Sequence, residues 1–275
     1  MNKVSLIISV YNNVRNLNLI FTALTIQTFK DFEVIISDDG SGNEMKELIS
    51  EWHNKSELNI KHVWQNDNGF RKNKILNESI RKSETDYLIF IDGDCIPHIE
   101  FIKAHYDSRE GNTVLFGRRV YFGKDISNSI TAEKILDKSY QKLNARLIID
   151  SLIKTKEGSY CVEEGILIQN KIIRKLFLKS DVGILGSNFS LEKKLIEAIN
   201  GFDESFIGPG YGEDTDIERR LRLYKAKLKS IRNLAIQYHL YHPKTIEAKN
   251  NKLYYDKIKN DNNYYCKNGL VFKSG

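Results

Sequence analysis

The chain has 275 residues, of which 41% are hydrophobic and 28% are charged, and its formal net charge is +6. This length suits one large domain or two small ones that share a core. The apolar fraction excludes wholesale disorder, and three prolines with 17 glycines exclude a collagen-like polymer. A charge of +6 fits a mild attraction to anionic ligands or lipid head groups, but it is too weak to indicate nucleic-acid binding by itself.

The first 117 residues alternate short apolar runs with helical patterns. The runs are rich in Val, Ile, Phe and Tyr, and several are almost continuously apolar, as in strands buried on both faces of a sheet. The predicted strands are residues 4–10, 32–37, 60–64, 87–91 and 113–117. Residues 45–52 and 75–80 repeat apolar side chains at the spacing of one helix face. This alternation predicts an α/β fold with a mainly parallel sheet flanked by helices.

The second half of the chain has a different pattern of predicted elements. Residues 118–180 are basic and mostly helical in pattern, which indicates an insertion or a second lobe. The segment 185–222 predicts a helix at 191–199, a glycine-rich loop and a second helix that starts near Asp214. The tail beyond Pro243 is rich in Lys, Asn and Tyr, and its pattern allows a short helix, a docking segment or partial disorder.

Polar residues follow the first four predicted strands directly. In chain order they are Tyr11-Asn12-Asn13, Asp38-Asp39-Gly40-Ser41-Gly42, Asn66-Asp67-Asn68-Gly69-Phe70-Arg71 and Asp92-Gly93-Asp94-Cys95. Ligands of parallel sheets bind outside the carboxyl ends of the strands. We therefore expect these residues to converge on one edge of the sheet.

Two aspartate pairs are candidates for metal and nucleotide binding. Asp92 and Asp94 can hold a hard divalent cation, and Gly93 lets the backbone approach a ligand closely. A lone Asp-Gly-Asp is also typical of a turn, but the apolar strand before it and the acids at a second strand end favour the metal. Asp39, beside Asp38, can accept a hydrogen bond from uracil or ribose, or it can serve a turn or a helix N-cap.

Two predicted helix starts carry charged residues. Arg71, Lys72 and Lys74 suit a diphosphate, although a solvated basic face is the more usual role of such residues. Glu213, Asp214 and Asp216 follow a glycine-rich run, and acids there also complement the helix dipole. The glycines, at 208, 210 and 212, would let one carboxylate face a sugar as a general base.

His239 and His242 frame an extended segment before Pro243. A single histidine is more often a packed or surface residue than a ligand. A neutral imidazole is nevertheless a common metal ligand, and the aspartate pair makes one of these two a candidate. The other four histidines are expected to be structural.

Together these motifs resemble the inverting glycosyltransferases of family 2, which have the nucleotide-diphospho-sugar (GT-A) fold. VSLIISVYNN resembles the family's first strand and nucleotide turn, TIQTFKDFEVIISDDGSGN its second block and YLIFIDGDC its DxD block. NGFDESFIGPGYGEDTDIERRLR is similar to the C-terminal galactosyltransferase-type motif, found also in chondroitin polymerases. The order of the blocks matches, and they run from Val4 to His242.

The resemblance implies roles for individual residues of this chain. On the donor side, Tyr11 and Asp39 would hold the uracil, with Val10 and Asn12 beside them. The diphosphate would lie near Arg71 and Lys74. The donor sugar would meet Ser187 and Asn188. In the metal region, Asp94 would bind the metal, and Asp92 with Gly93 would meet the ribose or metal. His239 would complete the metal site, with His242 as second choice. In the acceptor region, Asp214 would be the base, and Glu213 would bind hydroxyl groups. The chain departs from the family pattern at Ser9, Leu76 and Tyr211, where Pro, Arg and Trp are frequent.

The expected function is therefore an inverting transfer of a hexose or N-acetylhexosamine from a UDP-sugar, dependent on Mn²⁺ or Mg²⁺, to an oligosaccharide or lipid-linked saccharide acceptor. The implied setting is bacterial surface polysaccharide or lipooligosaccharide synthesis.

A non-catalytic nucleotide-sugar- or carbohydrate-binding protein remains an alternative. A sugar-nucleotide pyrophosphorylase is disfavoured, since Tyr-Asn-Asn stands where its glycine-rich phosphate loop would be. A processive membrane synthase would need spanning segments and a QxxRW motif, neither of which is found. No nucleic-acid partner is expected.

The sequence predicts one catalytic unit with three regions. These are a nucleotide-sugar-binding half at 1–117, an acceptor-binding and catalytic half at 118–243, and a basic tail at 244–275. No apolar run is long enough to span a bilayer, no signal-peptide cleavage site is apparent, and three widely spaced cysteines suit a reducing cytoplasm. We expect a cytoplasmic protein with possible peripheral membrane contact, and the sequence does not indicate its oligomeric state.

Overall fold

The computed structural model describes residues 3–153, 156–177, 183–243 and 248–271. Its strands are β1 (Val4–Val10), β2 (Phe32–Asp38), β3 (Asn59–Trp64), β4 (Tyr87–Asp92), β5 (Cys95–Pro97), β6 (Thr113–Phe116), β7 (Arg118–Tyr121), β8 (Phe189–Glu192), β9 (Lys227–Ser230) and β10 (Ile236–His239). Its helices are α1 (Val14–Thr25), α2 (Asn43–Lys55), α3 (Lys72–Lys82), α4 (Phe101–Ser108), α5 (Lys124–Asn128), α6 (Ala132–Leu136), α7 (Ala145–Ile153), α8 (Lys171–Phe177), α9 (Lys193–Ala198), α10 (Glu213–Leu223) and α11 (Lys249–Ile258).

The seven-stranded main sheet has the order β3-β2-β1-β4-β8-β6-β9. Strands β3, β2, β1 and β4 are parallel, β8 is antiparallel to both β4 and β6, and β6 is parallel to β9. The register pairs Val10 with Asp38 and Ser9 with Asp92, so the loops that follow three strands begin at the same edge. The prediction of a mainly parallel sheet flanked by helices is confirmed.

A small second sheet, of order β5-β10-β7, lies next to this edge. Strand β10 is antiparallel to β5 and parallel to β7, and His239 is paired with Cys95 on one side and Tyr121 on the other. Cys95 directly follows Asp94 in the chain. The short sheet therefore brings the histidine segment, which is distant in sequence, to the end of β4.

The apolar pattern of the central strands builds two layers of core. Leu6 and Ile8 of β1 pack with Leu17 in one layer, whereas Ile7 packs with Ile80 in the other. The three β1 residues are fully buried. Successive side chains of a strand point to opposite faces, and each buried side chain of this size stabilises the fold by about 1.5–3 kcal/mol. The site rests on this two-sided core.

Two expectations about the second half were wrong in detail. The predicted helix at 191–199 begins only at Lys193, because Phe189 and Leu191 alternate into the core as part of β8 while Ser190 hydrogen-bonds the Tyr87 hydroxyl. The basic segment after residue 117 is mostly helical but starts with strand β7, which completes the small sheet. In the tail, residues 249–258 form helix α11, and positions 244–247 and 272–275 lie outside the described part.

Candidate active site

The loops after β1 and β2 are joined through Asn12. Its backbone has φ +49°, its N–H donates to Ser41 Oγ at 2.9 Å, and its side-chain oxygen accepts from the Gly42 N–H at 2.9 Å. Beside it, Tyr11 is 53% exposed and its hydroxyl donates to Asp67 Oδ2 at 2.9 Å. An exposed aromatic ring above a fixed loop can stack on a flat ligand.

The two neighbouring aspartates of the second loop have different surroundings. Asp38 is buried; burial opposes its ionisation, but hydrogen bonds with His62 and with Ser41 outweigh this and lower its pKa. Asp39 accepts from the Gln65 side chain at 2.5 Å and from the Arg71 backbone N–H at 2.7 Å, and burial raises its pKa. Asp39 thereby connects the loop after β3 to the loop below Tyr11, and its own N–H donates to the Val10 carbonyl.

At the end of β4, Asp92 and Gly93 lie against β1. Asp92 Oδ1 accepts from the Ser9 hydroxyl at 2.9 Å, and the Gly93 N–H donates to the Ser9 carbonyl at 2.8 Å. A Cβ on Gly93 would lie 2.8 Å from that carbonyl oxygen and 2.9 Å from Val10 Cγ1. Gly93 is therefore required by the close approach of the two backbones.

Asp94, His239 and His242 form a cluster of possible metal ligands, with one atom from each side chain lying within 4.8 Å of the others. The Nε2 atoms of His239 and His242 lie 3.4 and 3.3 Å from Asp94 Oδ2. Burial acts to raise the pKa of Asp94, but the two imidazoles outweigh it and hold this pKa well below its usual range. The structure thus brings both histidines to Asp94, whereas the sequence analysis predicts one of them as a ligand.

Lys72 is the basic residue of α3 that reaches the acids. Its Nζ lies 2.9 Å from Asp92 Oδ1 and 2.7 Å from Glu213 Oε1. Arg71 and Lys74, which the family resemblance assigns to the diphosphate, are both exposed. Lys72 lies one turn before the buried Leu76, but Arg71 lies one turn before the buried Ile75 in the same way, so helical periodicity does not distinguish the two.

Asp214 lies in the first turn of α10. Its Oδ1 accepts from the Thr215 N–H at 2.9 Å, and its Oδ2 lies 3.4 Å from the Gly186 N–H donor. Gly212, at φ +106°, starts the helix, and a Cβ there would lie 2.4 Å from the Phe206 ring. Asp216 instead forms ion pairs with Arg219 and with the fully buried Arg220. Of these two acids, Asp214 is the one whose carboxylate makes no ion pair with a described residue.

Ser187 and Asn188 are held inside the protein. The Asn188 amide nitrogen donates to the Arg118 and Ala235 carbonyls at 2.9 and 3.0 Å, and its oxygen lies 3.1 Å from His105 Nε2. Both residues are almost completely buried. The Asn188 side chain therefore orders the loop beneath the site.

Arg119 is a site residue that the sequence reasoning missed. It donates to Ser187 Oγ at 3.0 Å, lies 4.0 Å from Asp92 Oδ2 and covers the Tyr121 ring at 4.7 Å. Its Nε is buried and has no hydrogen-bond partner among the described residues. Gln237 also donates to Ser187 Oγ, at 3.1 Å. Arg118 and Arg119 lie in a segment whose sequence pattern is mostly helical, and that pattern does not predict the strand on which they stand.

A cavity of about 700 Å³ opens beside these groups. Its wall includes Asp214, Arg119, Tyr121, Arg222 and Tyr255. This volume falls within the range of small-molecule sites, and the cavity wall includes the Asp214 carboxylate, guanidinium groups and aromatic rings. A saccharide can be bound by such a mixture of hydrogen-bonding and stacking groups.

The sequence comparisons identify the family. The sequence model described as glycosyl transferase family 2 matches residues 5–177, which is more than half of the chain. The chain belongs to glycosyl transferase family 2. A second model, described as the N-terminal domain of galactosyltransferase, matches residues 174–243 of this glycosyltransferase.

Curated relatives agree with this assignment. The glycosyltransferase is 28% identical to the chondroitin synthase of Escherichia coli over 240 residues, which cover 86% of this chain and 34% of the relative. It is 26% identical to the hyaluronan synthase of Pasteurella multocida over 240 residues, covering 82% of this chain and 23% of the relative. The chain thus spans about a third or less of the length of these relatives.

Solved structures share the fold. TarS 1–349 of Staphylococcus aureus, solved in complex with UDP, has a TM-score of 0.56 at 19% identity, with 88% of this chain and 61% of that chain covered. The mannosyltransferase PcManGT of Pyrobaculum calidifontis, solved with GDP-Man and Mn²⁺, has a TM-score of 0.58 at 11% identity, with 88% and 58% covered. These neighbours are GT-A glycosyltransferases, as the predicted fold requires. In the described part of the chain, no helix combines the length and apolar character needed to cross a bilayer.

Proposed function

We propose that this glycosyltransferase moves a hexose or N-acetylhexosamine from a UDP-sugar to a saccharide acceptor, with a divalent metal and with inversion at the anomeric carbon. Two observations carry the proposal: Asp94, His239 and His242 form a cluster of possible metal ligands, and Asp214 lies in the wall of a cavity whose Tyr121 ring is 5.1 Å from the His239 ring. The similarity to chondroitin and hyaluronan synthases, and to TarS solved with UDP-GlcNAc, supports the donor class.

The nucleotide lies over the edge formed by the first two loops. Tyr11 stacks on the uracil, and Asp39 with Val10 and Asn12 forms the wall beside it. The exposure of the Tyr11 ring and its fixed hydroxyl support this role. Since both Asp39 oxygens already accept hydrogen bonds within the protein, contact with uracil requires an oxygen to accept a further one, which its remaining lone pairs allow.

The donor set of the metal cluster favours Mn²⁺ over Mg²⁺. Mg²⁺ prefers oxygen ligands in a strict octahedron, whereas imidazole nitrogen suits the transition metals. Asp94, His239 and His242 would hold the ion, with Asp92 directed to it or to the ribose. A bound Mn²⁺ would supply positive charge next to the diphosphate that leaves.

Asp214 acts as the general base. It takes the proton of an acceptor hydroxyl while that oxygen forms a bond to the anomeric carbon, and the bond from this carbon to the UDP oxygen breaks on the opposite face. Glu213 orients hydroxyl groups of the sugars, and Arg119 stabilises the charge that grows on the diphosphate. Ser187 and Asn188, which are almost completely buried, support the donor-sugar pocket from beneath.

The acceptor is an oligosaccharide or a lipid-linked saccharide of a bacterial surface polysaccharide or lipooligosaccharide, and the protein works in the cytoplasm at the membrane surface. Exposed apolar side chains support the membrane contact, among them Leu152 of α7 and Ile172 and Leu176 of α8, with Lys171 and Lys175 adjacent. Apolar and basic residues together favour an anionic lipid surface. Co-sedimentation with phosphatidylglycerol vesicles but not with phosphatidylcholine vesicles is expected.

Calorimetric titration with UDP tests the proposed donor site. We expect UDP to bind the wild-type protein at least tenfold more tightly with Mn²⁺ than with EDTA, and Asp94→Asn to abolish this difference. Asp107→Asn, which changes an exposed acid of α4, is the matched control and should keep the wild-type difference. Equal UDP affinity with and without Mn²⁺ in the wild type would remove the metal from the proposal.

A further inference from the structure

Lys72 has a position that the proposed roles do not yet explain. Its ammonium group contacts Asp92 at 2.9 Å and Glu213 at 2.7 Å, and its side chain is only 16% exposed. Burial opposes the charge of Lys72, but the two carboxylates outweigh this effect and raise its pKa. The lysine is therefore a fixed cation between two acids rather than a solvated surface residue.

The two acids belong to different parts of the fold. Asp92 ends β4, next to the proposed metal ligand Asp94, whereas Glu213 is the first residue of α10 and directly precedes Asp214. Lys72 and Glu213 are 141 positions apart in the sequence. The ammonium group thus connects the strand end of the donor half to the helix start that carries the proposed base.

No other cation in the described part of the chain contacts both acids. Arg119 lies 4.0 Å from Asp92 and has no ion pair with Glu213 in the described structure. Leu76, one helical turn after Lys72, lines the same small chamber as Asp92, Glu213 and Asp214 but carries no charge. Removal of the Lys72 charge would leave two carboxylates facing each other without a shared cation, and they would repel.

We infer that Lys72 is a positioning residue of the transfer reaction, which fixes the first turn of α10, and therefore Asp214, relative to the end of β4. This inference rests on the proposed function for its effect on rate, but the positioning itself is a property of the structure. The expected effect is large, because a displacement of about 1 Å at reacting groups can lower the rate about 100-fold.

Hydrogen–deuterium exchange tests the positioning without any substrate. In Lys72→Met, we expect the hydrogen-bonded amides at the start of α10, from Asp216 onward, to exchange at least about tenfold faster than in the wild type. Lys82→Met is the matched control, since Lys82 is an exposed residue at the end of the same helix, and it should not change this exchange. Unchanged exchange in a folded Lys72→Met protein would overturn the inference, whether or not the chain proves to be a UDP-sugar transferase.

A double-mutant cycle on the transfer rate then separates positioning from a general loss of stability. We expect Lys72→Met and Glu213→Gln each to lower kcat by about 100-fold, and the double variant to be no slower than the slower single variant, because both changes break one connection. Lys72→Arg, which keeps the charge, should have a kcat at least tenfold higher than that of Lys72→Met.

If Lys72→Met does not fold, Glu213→Gln breaks the same contact and should itself accelerate α10 exchange. The inference would be overturned if the fold decrease in kcat of the double variant equalled the product of the two single decreases. A Lys72→Met kcat within about threefold of wild type would also overturn it.

Discussion

At the scale of single residues, Gly93 is closely packed between two strands of the site. The residue is held between the carbonyl of Ser9 and the side chain of Val10, and any Cβ would meet both at less than van der Waals distance. Its neighbours Asp92 and Asp94 carry the proposed ribose and metal contacts. A shift of this backbone would therefore move both carboxylates.

Gly93→Ala is expected to lower the free energy of unfolding by about 1–3 kcal/mol, as overpacking commonly does, and to weaken Mn²⁺-dependent UDP binding. Thermal unfolding and calorimetry measure the two effects. Gly111→Ala is the matched control, because nothing lies within 4 Å of a Cβ at that exposed glycine. Wild-type stability in Gly93→Ala would show that the backbones separate at no cost and would contradict the packing argument.

The residues of the site differ in how far the sequence could predict them. Asp92 and Asp94 follow an apolar strand directly, so their place at the sheet edge came from local pattern alone. Lys72 could be named only as one of three basic residues at a helix start, since the choice among them depends on where Glu213 lies. Arg119 depends on the pairing of β7 with β10, and such long-range pairing has no local signal.

At the scale of elements, strand β8 connects the site to the core. His105 of α4 is fully buried and hydrogen-bonds Ser190 of β8 at 2.7 Å and Asn188 at 3.1 Å. The predicted helix at 191–199 missed this strand, because four residues before a good helical pattern are too few to identify a strand from propensity. Its antiparallel pairing with β4 and β6 is what places Ser187 and Asn188 beneath the cleft.

The buried histidine predicts a pH dependence of stability. Burial lowers the pKa of His105 to about 3, whereas the unfolded chain has the ordinary value of about 6.5. Between these values the unfolded state binds a proton that the folded state does not, so stability falls as the pH falls, by up to about 1.4 kcal/mol per pH unit. His105→Asn should reduce the stability loss between pH 7 and pH 5 in denaturant titrations. A pH profile of His105→Asn equal to that of the wild type would contradict the assignment.

At the scale of the whole molecule, the cleft is built from segments distant in sequence. Asp94 meets His239 and His242, Lys72 meets Glu213, and Asp214 lies over the loop at Gly186. The order of strands and helices predicted that the first loops share an edge, as the registers of β1, β2 and β4 confirm. The sequence could not predict how the second half returns to that edge, because this depends on the short strands β7, β8 and β10.

The charged residues behind the net charge of +6 are unevenly distributed over the molecule. Acids gather at the strand ends and at the start of α10, where Lys72 and Arg119 accompany them. Many of the remaining Lys and Arg side chains lie outside the cleft, as on α8. A modest positive total thus combines a cleft that contains several acids with basic outer surfaces.

The proposed transfer reaction is tested most directly by the rate of UDP release from the wild type and Asp214→Asn, measured with Mn²⁺, a panel of UDP-hexoses and UDP-N-acetylhexosamines, and saccharide acceptors. We expect acceptor-dependent UDP release by the wild type and a fall of about 10²–10⁴-fold in Asp214→Asn, with UDP affinity nearly unchanged. Asp214→Asn turning over at the wild-type rate would contradict the assignment of the base.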